Sequence, residues 1–270
     1  MPAGTGGLEI DPASGRVLSL WPGPDTPNLL FEGEIGPGLL GGDRCWLAPE
    51  TELFYQRPGD PGSPWRCPPE LDPGSWEWDG AVLRQTALGA RLTRRITPLP
   101  AGPIAGPLLT AGYTVTDQAE TDQPWAPWHL VVLPLSGDIW VRAAADPLVY
   151  YPPAPAVRDG WLVFDRRDRW KAGFAPPPDG RVVLAAMAAA DPGALVVVTT
   201  ELKPGLTCVD TAPDGSGAAP VQVFANGPAG LCELEHHAAL ETGAYTATVV
   251  GAWGSRAERS RLLTEMAGTG

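Results

Sequence analysis

A chain of 270 residues with 19 basic against 31 acidic side chains carries a net charge of −12. Nucleic acid and anionic membrane surfaces are therefore excluded as partners, because phosphate groups demand clustered Lys and Arg. A hydrophobic fraction of 44% suffices for a sizeable core, and no stretch approaches the ~18 uninterrupted apolar residues of a membrane span.

Residues 1–14 have neither the basic start nor the apolar run of a signal peptide, so a cytoplasmic protein is expected. The four cysteines, Cys45, Cys67, Cys208 and Cys232, show no CxxC spacing. They read as free thiols rather than as two disulfides or a zinc site.

Short β-like runs recur from end to end. Residues 8–10 and 16–21 open the series, and 28–32, 41–50, 76–86, 91–98 and 108–116 follow. In the last of these Tyr113 and Val115 alternate with Thr114 and Thr116, the period of two of a half-buried strand. Runs at 128–133, 139–143, 161–164, 170–174 and 181–190 continue it. Asp191-Pro192-Gly193 turns the chain into 194–202, and 221–225, 230–240 and 245–253 complete the set. Ser255-Arg256-Ala257-Glu258 has the spacing of a capping box, with Leu262, Leu263 and Met266 as an apolar stripe, so one helix is expected at the C-terminal end. Residues 57–73, with six prolines, and 146–155 read as loops, where binding residues collect on rigid scaffolds. With no repeat and no composition shift, residues 1–270 read as a single all-β domain, a large sandwich with Pro-rich connections.

Polar residues cluster in three places. In Cys232-Glu233-Leu234-Glu235-His236-His237 a strand puts Glu233, Glu235 and His237 on one face. Two carboxylates and an imidazole suit a general acid/base site; they equally suit the solvated face of an edge strand. As a metal site the set is short of ligands, and no metal or other cofactor is expected. The second cluster is Gly41-Gly42-Asp43-Arg44-Cys45-Trp46-Leu47-Ala48-Pro49-Glu50, where the double Gly allows a close backbone approach. Asp43 offers an acceptor. Arg44 and Trp46 share a face, which suits a sugar whose hydroxyls need donors and whose C–H faces lie on rings. An Asp–Arg pair at a sheet edge beside a core Trp is the competing reading. Third, Trp170-Lys171-Ala172-Gly173 holds one of only two lysines, the other being Lys203. Trp76 and Trp78 share a face as a stacking platform or as core. Phosphate-binding loops, GxSxG, HExxH and dinucleotide fingerprints are all missing from the sequence.

In this order, the segments 41–50, 92–96 (Leu-Thr-Arg-Arg-Ile), 113–117 (Tyr-Thr-Val-Thr-Asp), 125–128 (Trp-Ala-Pro-Trp), 170–173 and 232–235 resemble a branch of the galactose-mutarotase-like (aldose 1-epimerase-like) superfamily. The resemblance implies a β-supersandwich with a sugar-sized cleft on its concave face. In that family a Glu takes the proton of the anomeric hydroxyl, a His protonates the ring oxygen and an Arg binds substrate. By motif position Glu235 matches the Glu, with Glu233 as fallback, and Arg44 matches the Arg. Trp128 stands where the His belongs. His129 is one residue away and so on the opposite strand face.

The expected ligand is a small-molecule carbohydrate. Glu235 would be the base and Lys171 or His129 the acid. Arg44 would be the clamp, Trp46 and Trp128 the stacking walls, and Asp43, Glu233 and His237 would line the site. An aldose 1-epimerase-type enzyme, a sugar-binding protein without catalysis and a protein-interaction module all remain open.

Overall fold

The computed structural model describes residues 7–36, 38–100, 108–142, 148–149, 155–165, 167–210 and 219–268. Most of the 146–155 loop expected above lies outside these residues. Alternating apolar and polar positions produce long antiparallel strands, and two large sheets pack face to face. The eight-stranded sheet runs, edge to edge, Gly7–Asp11, Arg16–Trp21, Gly42–Ala48, Ala126–Pro134, Leu231–His237, Val221–Asn226, Arg169–Phe174 and Leu148–Val149. The ten-stranded sheet runs Ala156–Arg158, Trp161–Phe164, Gly137–Arg142, Arg181–Ala188, Gly193–Glu201, Ala244–Gly254, Leu109–Glu120, Ala90–Pro98, Leu83–Ala87 and Glu77–Trp78. Together they make the expected all-β supersandwich. The four cysteines are free.

Between the sheets lies a large apolar core that includes Val17, Tyr113, Val131, Leu184, Val223, Leu234 and Val249. Two satellite clusters cover the outer faces. The Arg256–Ala267 helix lays Leu262, Leu263 and Ala267 on the outside of the ten-stranded sheet, against Val183, Leu195 and Val250. Its capping box forms as the spacing predicts: the Ser255 hydroxyl accepts from the Glu258 amide, and the Glu258 carboxylate accepts from the Ser255 amide. No helix among the described residues is long and apolar enough to cross a membrane.

On the outside of the eight-stranded sheet, the Pro-rich segment delivers Phe54, Cys67, Leu71 and Trp76 onto Trp46, Trp128 and Leu130. The Gly42–Ala48 strand is consequently buried along its whole length. The double Gly meets the close approach expected of it. A Cβ at Gly41 would stand 1.8 Å from the Phe31 carbonyl oxygen, and Gly42 has φ +91°.

Three expected elements differ. Residues 28–32 are irregular, because the Asn28 amide takes the place of a ladder partner: it accepts from the Leu20 and Leu30 amides and donates to the Leu18 carbonyl. The 76–86 run is broken by the Asp79-Gly80 turn, where the Asp79 carboxylate accepts from the Ala81 and Val82 amides. Trp76, which precedes the short Glu77–Trp78 strand, is buried against Gly15, whereas Trp78 is exposed on that last strand of the sheet. Pro49 ends the Gly42–Ala48 strand, so Glu50 opens a one-turn helix, Glu50–Leu53, instead of closing a strand.

Candidate functional site

Strand parity decides which side chains can meet. Trp128 stands opposite both Trp46 and His237, Leu130 opposite both Arg44 and Glu235, and Val132 opposite Glu233. On the next pairings Glu235 faces Gln222, Glu233 faces Phe224, and Phe224 faces Lys171. All of these side chains therefore share the outer face of the eight-stranded sheet. Glu233, Glu235 and His237 do lie on one face, as their spacing predicts.

A cavity of about 210 Å³ opens on that face. Trp46, Trp65, Trp128 and Phe224 form its aromatic wall, with Tyr55, Ile35 and Leu39 beside them, and Glu50, Glu233, Lys171, Arg169 and Asn226 supply polar groups. Three cavities elsewhere are larger, about 260, 300 and 570 Å³, but none has more than one Trp, Tyr or Phe ring on its wall.

Trp46 and Trp128 meet edge to face, 5.3 Å between ring centroids, and Trp65 lies 6.1 Å from Trp46 while stacking on Phe54. A small pairing holds Trp65 there: Tyr55 bridges to Trp65, and the Arg66 amide donates to the Phe54 carbonyl at 2.7 Å.

Lys171 organises the charges. Its ammonium lies 3.2 Å from Glu50 Oε2 and 3.3 Å from Glu235 Oε2, and 5.1 Å from the centroid of the Trp128 ring. Glu50 Oε1 accepts from Trp65 Nε1 at 3.0 Å. The Glu50 backbone amide donates to Asp210 Oδ1 at 3.0 Å. Glu50 and Trp65 had not been singled out in the sequence as site residues.

The matched base is sealed. Glu235 is 0% exposed and is absent from the cavity wall. Its Oε2 accepts from Trp128 Nε1 at 3.0 Å and from Lys171. Burial raises its carboxyl to about 8, against the opposing pull of Lys171. Glu235 thus orients Lys171 and Trp128, and Glu233, half-buried on the cavity wall, is the carboxylate that faces the space. Burial raises Glu233 as well, with Lys171 and Arg44 opposing.

Arg44 is likewise occupied. Asp72 of the Pro-rich segment pairs with its Nη1 at 2.9 Å, and with Arg16; Asp72 also accepts from Trp46 Nε1 at 2.9 Å. The Leu40 carbonyl takes another Arg44 donor. Arg44, 2% exposed, is a structural cation here and not a clamp on the cavity wall. Burial, and then the neighbouring Arg16, pull its guanidinium down to about 9.

Asp43 and His129 point the other way, into the sandwich. His129 Nε2 is 2.8 Å from Asp43 Oδ2, and the Tyr113 hydroxyl donates to the same carboxylate at 2.5 Å. Arg94 pairs with Asp43 and lies 3.7 Å from Asp117, which accepts from Tyr245. Every charged group in this network is fully buried. Burial opposes ionisation of Asp43, but His129 and Arg94 outweigh it and hold its carboxyl well below the usual range. His129 cannot serve as the cavity's acid and Asp43 cannot serve as its acceptor, because an odd step along a strand reverses the face.

His237 stacks on Trp128 at 5.2 Å from beneath and is fully buried. Burial, then the charge of Lys171, lower it to about 3, so it stays neutral and supports the ring instead of lining the cavity. Among the described residues no group of three or more His, Cys, Asp or Glu side chains is placed to hold a metal ion.

No family model and no curated protein matches the chain. A solved structure does: a putative aldose 1-epimerase from Escherichia coli K12, with TM-score 0.50 and 13% identity over 94% of this chain and 98% of that one. At that identity the likeness is one of fold, and the aldose 1-epimerase fold is the architecture described above.

Proposed function

We propose that the outer-face cavity binds a carbohydrate, one sugar ring at a time, and that this chain is a sugar-binding protein of mutarotase-like fold. The observation that carries the reading is the wall of Trp46, Trp65, Trp128 and Phe224 set against Glu50, Glu233, Lys171 and Asn226. A sugar ring has apolar C–H faces and a polar rim, so it needs aromatic faces and fixed donors and acceptors in one small space. At about 210 Å³ the cavity lies below the ~300–1,000 Å³ of drug-sized pockets, in keeping with a single ring. Three of its tryptophans report binding directly. Titration of aldoses and uronates should change Trp fluorescence and give saturation-transfer signals; no response from any of them would sink the reading and favour an interaction module.

Binding without the family's catalysis is the better supported form, since Glu235 and Arg44, the two positions matched by motif, are both engaged internally. One observation favours a second reading: Glu233 and Lys171 share the cavity wall. Mutarotation would then proceed with the Glu233 carboxylate accepting the anomeric O–H proton. The freed electron pair forms the carbonyl, the C1–ring-oxygen bond breaks, and the ring oxygen takes a proton from the Lys171 ammonium. Reclosure on the other face reverses both transfers. A carboxyl raised by burial is a stronger base near neutral pH. Polarimetry of anomer exchange tests this. A rate above buffer that is lost in Glu233→Gln supports it, and a rate equal to buffer for every aldose removes it.

A further inference from the structure

We propose that the sugar bound here carries an anionic oxygen group, a carboxylate or a phosphate, and that Arg169 receives it. This rests on the cavity being a sugar site. Arg169 and Lys171 lie two residues apart on one strand, so both side chains reach the same face. Their electrostatic situations differ. Lys171 is charge-paired with Glu50 and also hydrogen-bonds to Glu235. Arg169 lines the cavity and is exposed, and among the described residues no carboxylate lies within ion-pair distance of it. Exposed Arg57, Arg84 and Arg91 each pair with a neighbouring Asp or Glu, whereas exposed Arg66 and Arg95, like Arg169, do not among the described residues; of these three only Arg169 lines this cavity.

The Arg169 guanidinium carbon sits 5.9 Å from the centroid of the Phe224 ring. Packing on an aromatic face holds the fork while leaving its in-plane N–H groups free, and that fork matches carboxylate and phosphate oxygens two at a time. Asn226, directly across the strand pair from Arg169, lines the same cavity and adds an amide donor. Glu233 and Glu50 face the cavity further along and suit the hydroxyls of the ring. The sugar's charge is thereby set at the Arg169 end.

The test measures affinity by Trp fluorescence for glucose, galactose and mannose, for their uronates, and for their 6-phosphates. Wild type, Arg169→Gln and a distant control, Arg91→Gln, are compared. A charge-assisted pair at a partly exposed rim is worth about tenfold in affinity. The uronates or the 6-phosphates should bind about tenfold tighter than the neutral sugars, whichever of the two is preferred naming the group. Arg169→Gln should erase that preference and Arg91→Gln should keep it. Equal affinity for neutral and acidic sugars in the wild type, or a preference that survives in Arg169→Gln, overturns the assignment while leaving the cavity a sugar site. Absence of binding by any sugar overturns both.

Discussion

Replacing Glu235 with Gln separates the roles that a buried carboxylate and a catalytic one would play. The folded-state carboxyl is raised to about 8, whereas an unfolded Glu titrates near 4.3. Between those values the native protein holds a proton that the unfolded chain has released, so stability falls as pH rises, by about 1.4 kcal/mol per pH unit. The full penalty is present above the folded value and absent below the unfolded one. Across the window it amounts to a loss on the order of 5 kcal/mol. Gln keeps an oxygen to accept from Trp128 Nε1 and removes the titration, while Lys171 retains Glu50. Urea unfolding of both proteins at pH 5, 6, 7 and 8 reads the difference. The wild type should lose stability relative to Glu235→Gln by about 1.4 kcal/mol for each unit from pH 5 to 7 and by less from 7 to 8, where the native carboxyl begins to ionise, and sugar affinity should stay unchanged in the variant. Parallel stability curves would refute the sealed-carboxyl account, and so would loss of sugar binding in a folded variant.

Four further outcomes are expected. Asp72→Asn leaves Arg16 and Arg44 buried without their counter-charge and should cost about 3–5 kcal/mol in chemical unfolding. The exposed pair Arg91–Glu120, broken by Arg91→Ala, should cost under about 1 kcal/mol. Trp65→Ala removes a ring that is 40% exposed, so it should lower sugar affinity about tenfold with little change in melting temperature. Ser255→Ala removes the helix cap and should cost ~1 kcal/mol, read in the same unfolding assay.

The strands and the terminal helix were legible because periodicity and capping are local signals. The shared face of Glu233, Glu235 and His237 was legible for the same reason, and the period of two that turned His129 away from Trp128 applies equally to Asp43 beside Arg44. Burial was not legible. Nothing in residues 231–237 indicates that Trp128 and Lys171, from two other strands, close over Glu235 while Glu233 stays half-exposed. Glu50 was hidden by Pro49, which turns the chain after the strand and swings the next residue over the sheet. Trp65 lies in a segment with no periodicity, and its position depends on Phe54 and Glu50, contacts that no local pattern encodes.

The Pro-rich segment has little regular hydrogen bonding of its own and is held by what lies beneath it. Asp72 draws together Trp46 and two arginines from separate strands, Arg44 lying 28 positions earlier in the chain. Such a patch closes only after the sheet below exists, and it is a natural place for sub-global opening. Amide hydrogen exchange should be faster across residues 54–76 than in the Gly42–Ala48 strand underneath. Each opening would bare Trp46 and two unpaired guanidinium groups together, a transient surface quite unlike the closed one.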